Sequence, residues 1–162
     1  VAKARKNQFG DLDAKYNFSL NPYPTLRFSK CPICEGKTGQ RKLPLVIHID
    51  PGHFIALNYS NRYCQRCDSL IGHKHEIEHL LTDLFSQLDP SVIGNDYLII
   101  GTAEKKAWRK GLSQPQSINE MLPHIHDFKS YEELRMTMAG WFPQDQDPPV
   151  WTPPPSTEWV KS

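Results

Sequence analysis

The sequence predicts an α+β fold: a β-hairpin held by a metal ion, packed on helices, with an extended Pro-rich C-terminal tail. Three observations point there. All four cysteines fall in two CxxC pairs, Cys31-Pro32-Ile33-Cys34 and Cys64-Gln65-Arg66-Cys67, with 29 residues between them. That interval reads as two strands around a turn. The strongest amphipathic helix of the chain follows the second pair. With 162 residues there is room for one domain with appendages.

Residues 1–30 are expected to form a basic and aromatic N-terminal arm. Lys3, Arg5, Lys6 and Lys15 interleave with Phe9, Tyr16 and Phe18. Such a pattern offers charge to phosphates and ring faces to bases. It also suits an arm whose aromatics pack back on the domain. Pro22 and Pro24 force an extended approach to the first cysteine pair.

The domain itself is expected over residues 31–142. Two thiolates at CxxC spacing turn toward one ion, and two such knuckles complete a tetrahedral all-sulfur site. Cys31, Cys34, Cys64 and Cys67 are the predicted ligands of one structural Zn2+. Leu43–Asp50 is rich in β-branched residues, Asp50-Pro51-Gly52-His53 has turn chemistry, and Phe54–Tyr59 reads as the returning strand. Knuckle, hairpin, knuckle resembles the zinc-ribbon family. The resemblance implies an ion that closes a sheet too small to stand alone. Arg41, Lys42, Arg62 and Arg66 lie beside the knuckles and are the candidate nucleic-acid contacts.

Ile77, Leu80, Leu81, Leu84, Phe85 and Leu88 form one apolar stripe at helical spacing, ended by Asp89-Pro90. Tyr97–Thr102 reads as a buried strand. Glu104–Gly111 sets Lys105, Lys106, Arg109 and Lys110 around Trp108, a second basic patch or a solvated helix turn. Ser117-Ile118-Asn119-Glu120 and Ser130-Tyr131-Glu132-Glu133 match the capping box, so each is expected to open a short helix, the second ending at Gly140. Residues 143–162 hold six prolines with Trp151 and Trp159, and are expected to form an extended tail anchored by the two rings.

Charge is uneven along the chain. Residues 1–42 carry nine Lys/Arg against three Asp/Glu, while residues 111–162 carry three against seven. A basic front and an acidic rear imply different partners for the two ends, or docking of one on the other. No apolar run approaches the roughly 20 residues that span a bilayer. The opening residues VAKARKNQFG lack a hydrophobic core segment. A cytoplasmic, reducing location suits the paired thiols, with no membrane partner.

Three enzymatic or redox readings compete with a closed, structural site. Rubredoxins share the knuckle spacing, but they place Gly after each second Cys, where this chain has Glu35 and Asp68. His75-Glu76-Ile77-Glu78-His79 matches the HExxH motif of zinc proteases, in which two imidazoles bind zinc and the Glu is general base. Here both histidines project away from the apolar stripe, and no third ligand stands out. His48, Asn58 and the second knuckle look similar to an HNH nuclease, with His48 to activate water and Asp68 or His73 as a further metal ligand. The usual preceding Asp or His is Ile47. The region His48–Thr102 also looks like an uncharacterised family of bacterial four-cysteine proteins, on IHIDP, RYCQRCDSLIGHKHEIEHLL and NDYLIIGT. That resemblance implies no activity. The expected role is a non-enzymatic, zinc-stabilised binding or adaptor module of a bacterial cytoplasmic assembly, with a protein partner and a nucleic-acid contact. The HNH-like nuclease is the alternative. No small-molecule substrate is evident.

Overall fold

The computed structural model describes residues 8–114, 116–157 and 159. Lys3, Arg5 and Lys6 of the predicted arm lie outside the described residues. The centre of the molecule is one seven-stranded sheet. Its strands are β1 (Asn17–Asn21), β2 (Gly39–Ile49), β3 (His53–Cys64), β4 (Ser69–His73), β5 (Tyr97–Ala103), β6 (Ile125–Asp127) and β7 (Ser130–Glu133), in the order β6-β5-β2-β3-β4-β1-β7. Three helices accompany it: α1 (Lys74–Leu88), α2 (Lys105–Ser113) and the single turn α3 (Ile118–Met121). A separate ribbon pairs β8 (Met136–Thr137) with β9 (Val150–Trp151). The architecture is mixed α+β.

The hairpin of β2 and β3 is the longest feature. It runs past the predicted strands at the knuckle end, from Gly39 opposite Tyr63, and closes at Ile49 opposite His53. Directly opposed residues share a face. Leu43, Leu45, Ile47 and Ile49 with Tyr59, Leu57 and Ile55 therefore line one side, and this side carries the main core. Phe18 and Leu20 of β1, Leu70 of β4 and Ile99 of β5 extend it. Gly72 makes room for a fully buried ring: a Cβ on it would lie 2.7 Å from the Phe18 ring.

Helix α1 covers this side with Ile77, Leu81 and Phe85, each a full side-chain burial of roughly 1.5–3 kcal/mol. The predicted stripe was wider than the buried one. Leu80 and Leu88 are exposed, and Glu78 is buried in place of a leucine, its carboxylate accepting a hydrogen bond from the Tyr97 hydroxyl. A buried acid tolerates that site because it has a donor within reach.

Two predicted elements differ. The arm is not irregular throughout: Asn17–Asn21 forms an interior strand, parallel to β4 on one side and to β7 on the other. Ser130–Glu133 is that second neighbour, a strand and not a helix. Its capping-box pattern is overridden by pairing with β1 and by the contact of Tyr131 with Phe18 at 5.5 Å between ring centres. Gly140 consequently caps no helix; it takes a positive φ of 149° in the bend after β8. The Ser117 capping box does form, with both reciprocal bonds. In the tail, Trp159 is buried against Phe85 and Tyr97 and donates its indole N–H to Asn95 O at 2.7 Å. Trp151 is exposed.

Candidate metal centre

The two knuckles are the tips of two tight turns. The first sits in a minimal hairpin: Lys30 bridges Lys37, and the Thr38 N–H donates to Ser29 O at 2.9 Å. Inside it, Cys31 N–H donates to Gly36 O at 2.7 Å and Glu35 N–H to Cys31 O at 2.8 Å. The second is the turn from β3 into β4, with Cys64 opposite Ser69. Asn17 ties β1 to this turn through its side chain to Cys67 O (3.1 Å) and its own N–H to Asp68 O (2.9 Å). Both turns require a left-handed residue after the second cysteine. Glu35 has φ 61° and Asp68 has φ 51°. The positions occupied by glycine in rubredoxins thus keep the conformation while losing the residue that adopts it freely.

These turns bring four sulfurs together. Their Sγ atoms lie within 4.8 Å of one another, with Cys31 to Cys67 at 3.9 Å and Cys34 to Cys64 at 3.5 Å. A tetrahedron with metal–sulfur bonds of about 2.3 Å has edges of about 3.8 Å. The cluster therefore fits one ion, and the four cysteines are free thiols, not disulfides. Cys31 and Cys64 are buried, and Cys34 and Cys67 half-buried.

Ionisation follows the same logic. The Gly36 N–H, at 3.4 Å, is the largest of several influences that bring the Cys34 thiol down to about 7. Burial pushes Cys64 up, and burial with the neighbouring thiols pushes Cys67 up to about 12. A thiol loses its proton when it ligates a metal ion. A divalent cation supplies the counter-charge, so binding must release protons. Four thiolates would saturate a tetrahedral ion and leave no position for water.

The four candidate basic residues divide. Arg41 lies over the Tyr63 ring, 3.9 Å from its centre, and donates to the Tyr16 hydroxyl at 3.2 Å. Arg62, on the opposite face of the hairpin, donates three hydrogen bonds to Thr38. Lys42 and Arg66 are exposed, and their side chains make no hydrogen bond or ion pair among the described residues. The first pair is committed to the fold; the second faces solvent.

The other predicted constellations do not assemble. His48 stands nine residues along β2 from Gly39, roughly 30 Å from the knuckle end at strand rise. Its ring packs on Phe54 at 4.7 Å. Asn58 pairs with Pro44, Asp68 binds Tyr63 and Lys129, and His73 caps α1. His79 is exposed and faces Asp83 at 3.4 Å. Among the described residues the cysteines are the one group of three or more metal-ligating side chains.

Sequence reading missed a polar cleft of about 490 Å³ beside the first knuckle. Arg62, Arg27, His73 and Glu76 reach its walls. Glu76 accepts from Arg27 and from the Tyr59 hydroxyl, each at 3.1 Å. Its one sequence signal is His73 standing three residues before Glu76 at the start of the helix.

No protein-family model matches the chain, and no curated protein or solved structure matches it. Among the described residues no helix is long and apolar enough to cross a membrane.

Proposed function

We propose that the protein is a non-enzymatic binding module, a zinc ribbon whose knuckle face contacts the phosphate backbone of a nucleic acid. The supporting observation is charge. Residues 25–44 and 58–70, which carry the two knuckles, hold seven Lys/Arg against two Asp/Glu. Lys30, Lys37, Lys42 and Arg66 are exposed and unpaired among the described residues. Cations left unpaired around a rigid metal-held tip suit a polyanion better than an active site. Zinc is the ion of choice for four sulfurs in this geometry. Four free thiols favour a reducing compartment such as the bacterial cytoplasm, where a protein partner completes the assembly.

Fluorescence anisotropy with labelled single-stranded and duplex oligonucleotides tests this. Contacts to about four phosphates predict a log–log salt slope near −3 to −4. Lys42→Ala with Arg66→Ala should weaken binding and reduce that slope by about two, with the thermal midpoint unchanged. Absence of binding at about 10 μM protein in low salt, or binding indifferent to both substitutions, would refute the proposal.

A further inference from the structure

The hairpin face turned away from the main core carries an apolar groove of about 690 Å³, roofed by α2 and α3. Val46, Phe54, Trp108, Leu112, Ile118 and Met121 line it, and Leu112 is exposed at its mouth. The volume falls in the range of ligand and peptide pockets. The groove therefore calls for an apolar occupant.

Charge narrows the choice. The acids around the groove are engaged: Glu104 with His124 at 2.8 Å, Glu120 in its capping box, Asp50 near His48 at 3.9 Å, and Asp89 with Ser91. The cations of α2, Lys105, Lys106, Arg109 and Lys110, have no partner among the described residues. An occupant should therefore carry negative charge beside its apolar group.

The same chain displays such a segment. Between β8 and β9, Trp141 is completely exposed, and Asp145 and Asp147 follow it, exposed and unpaired among the described residues. An indole supplies an apolar ring and one N–H donor. We infer that the groove receives Trp141 of a second copy of this chain, with Asp145 and Asp147 meeting the α2 cations. The contact joins two different surfaces, so it closes a dimer by reciprocal exchange or propagates as an open chain. It is independent of the knuckle face and of nucleic-acid binding.

Sedimentation velocity on the metal-loaded full chain, from about 1 to 200 μM, tests this across the range where a weak interface fills. The wild type should associate, less so at high salt. Trp141→Ala and Leu112→Glu should each weaken association at least tenfold; both side chains are exposed, and circular dichroism checks that the fold is retained. The decisive arm mixes the two variants. One keeps an intact groove and the other an intact Trp141, so the mixture should associate where neither does alone. A wild type that stays monomeric throughout, either variant associating like wild type, or a mixture that stays monomeric would each overturn the inference.

Discussion

Arg62 grips Thr38 at two oxygens: Nε donates to the hydroxyl at 3.0 Å, and Nη2 donates to the carbonyl at 2.9 Å. Thr38 is buried at the exit of the first knuckle and in turn donates to Phe28 O at 2.7 Å. One guanidinium on β3 thereby fixes the loop that carries Cys31 and Cys34. Charged hydrogen bonds of this kind are worth about 1.5–3 kcal/mol. Arg62→Ala should lower metal affinity roughly tenfold to a hundredfold, as outer-shell losses do, measured by competition with a chromophoric chelator. Lys42→Ala, one residue pair away on the same face, should leave affinity unchanged.

Removing the ion should loosen a part of the molecule. The hairpin was expected to need metal to stand, yet it belongs to a seven-stranded sheet with its own core, and the core cluster contains no residue of the first-knuckle loop. Chelation should therefore leave a cooperative melt by circular dichroism while trypsin cuts at Lys30 and Lys37, two sites that should resist cleavage in the loaded protein. Complete unfolding on chelation would show instead that the sheet depends on the ion.

The two left-handed knuckle residues should respond oppositely to glycine. Glu35 makes no side-chain hydrogen bond or ion pair among the described residues, so Glu35→Gly removes strain worth about 1–2 kcal/mol against a smaller cost in unfolded-chain entropy. A gain of up to about 1 kcal/mol in denaturant midpoint analysis is expected. Asp68 accepts from Tyr63 at 2.8 Å and from Lys129 at 3.0 Å, so Asp68→Gly should lower stability.

Acid should weaken the start of α1. The buried His73 ring accepts the Glu76 N–H at Nδ1, 3.3 Å away, and faces Pro24 O through Nε2 at 3.3 Å, the arrangement of a neutral imidazole. Burial, then the Arg27 charge, hold it below its ordinary value, with Glu76 opposing. The unfolded chain therefore binds a proton first as pH falls below about 6.5. Stability present above that pH is lost until the folded-state ring also titrates, with a slope of up to about 1.4 kcal/mol per pH unit. His73→Asn keeps a capping oxygen and removes the proton, so its stability should vary less between pH 6.5 and 5 in urea titrations.

The cysteine cluster, the Asp50–Gly52 turn, the strand at Tyr97 and the Ser117 cap were legible because each is written in neighbouring residues. β1 and β7 were not. Asn17 pairs with Ser69 and Ser130, partners that no local pattern reveals. Phe18 and Leu20 alternate correctly for a half-buried strand, but over too few positions to outweigh the polar surroundings. The division among the basic residues was hidden for a related reason. Spacing placed Arg41 and Arg62 beside the knuckles, and only the packing of Tyr16, Tyr63 and Thr38 shows that their charge is used inward.

The placement of β1 has a consequence for how the chain reaches this state during synthesis. It leaves the ribosome before both of its partners, and its second neighbour follows more than a hundred residues later. At about 5–20 residues per second it spends several seconds with an open edge. β7, which finally covers that edge, is four residues long, exposed throughout, and ends in Glu132 and Glu133. The last strand of the seven-stranded sheet to be made is therefore also a charged stop, poorly suited to recruit another nascent chain.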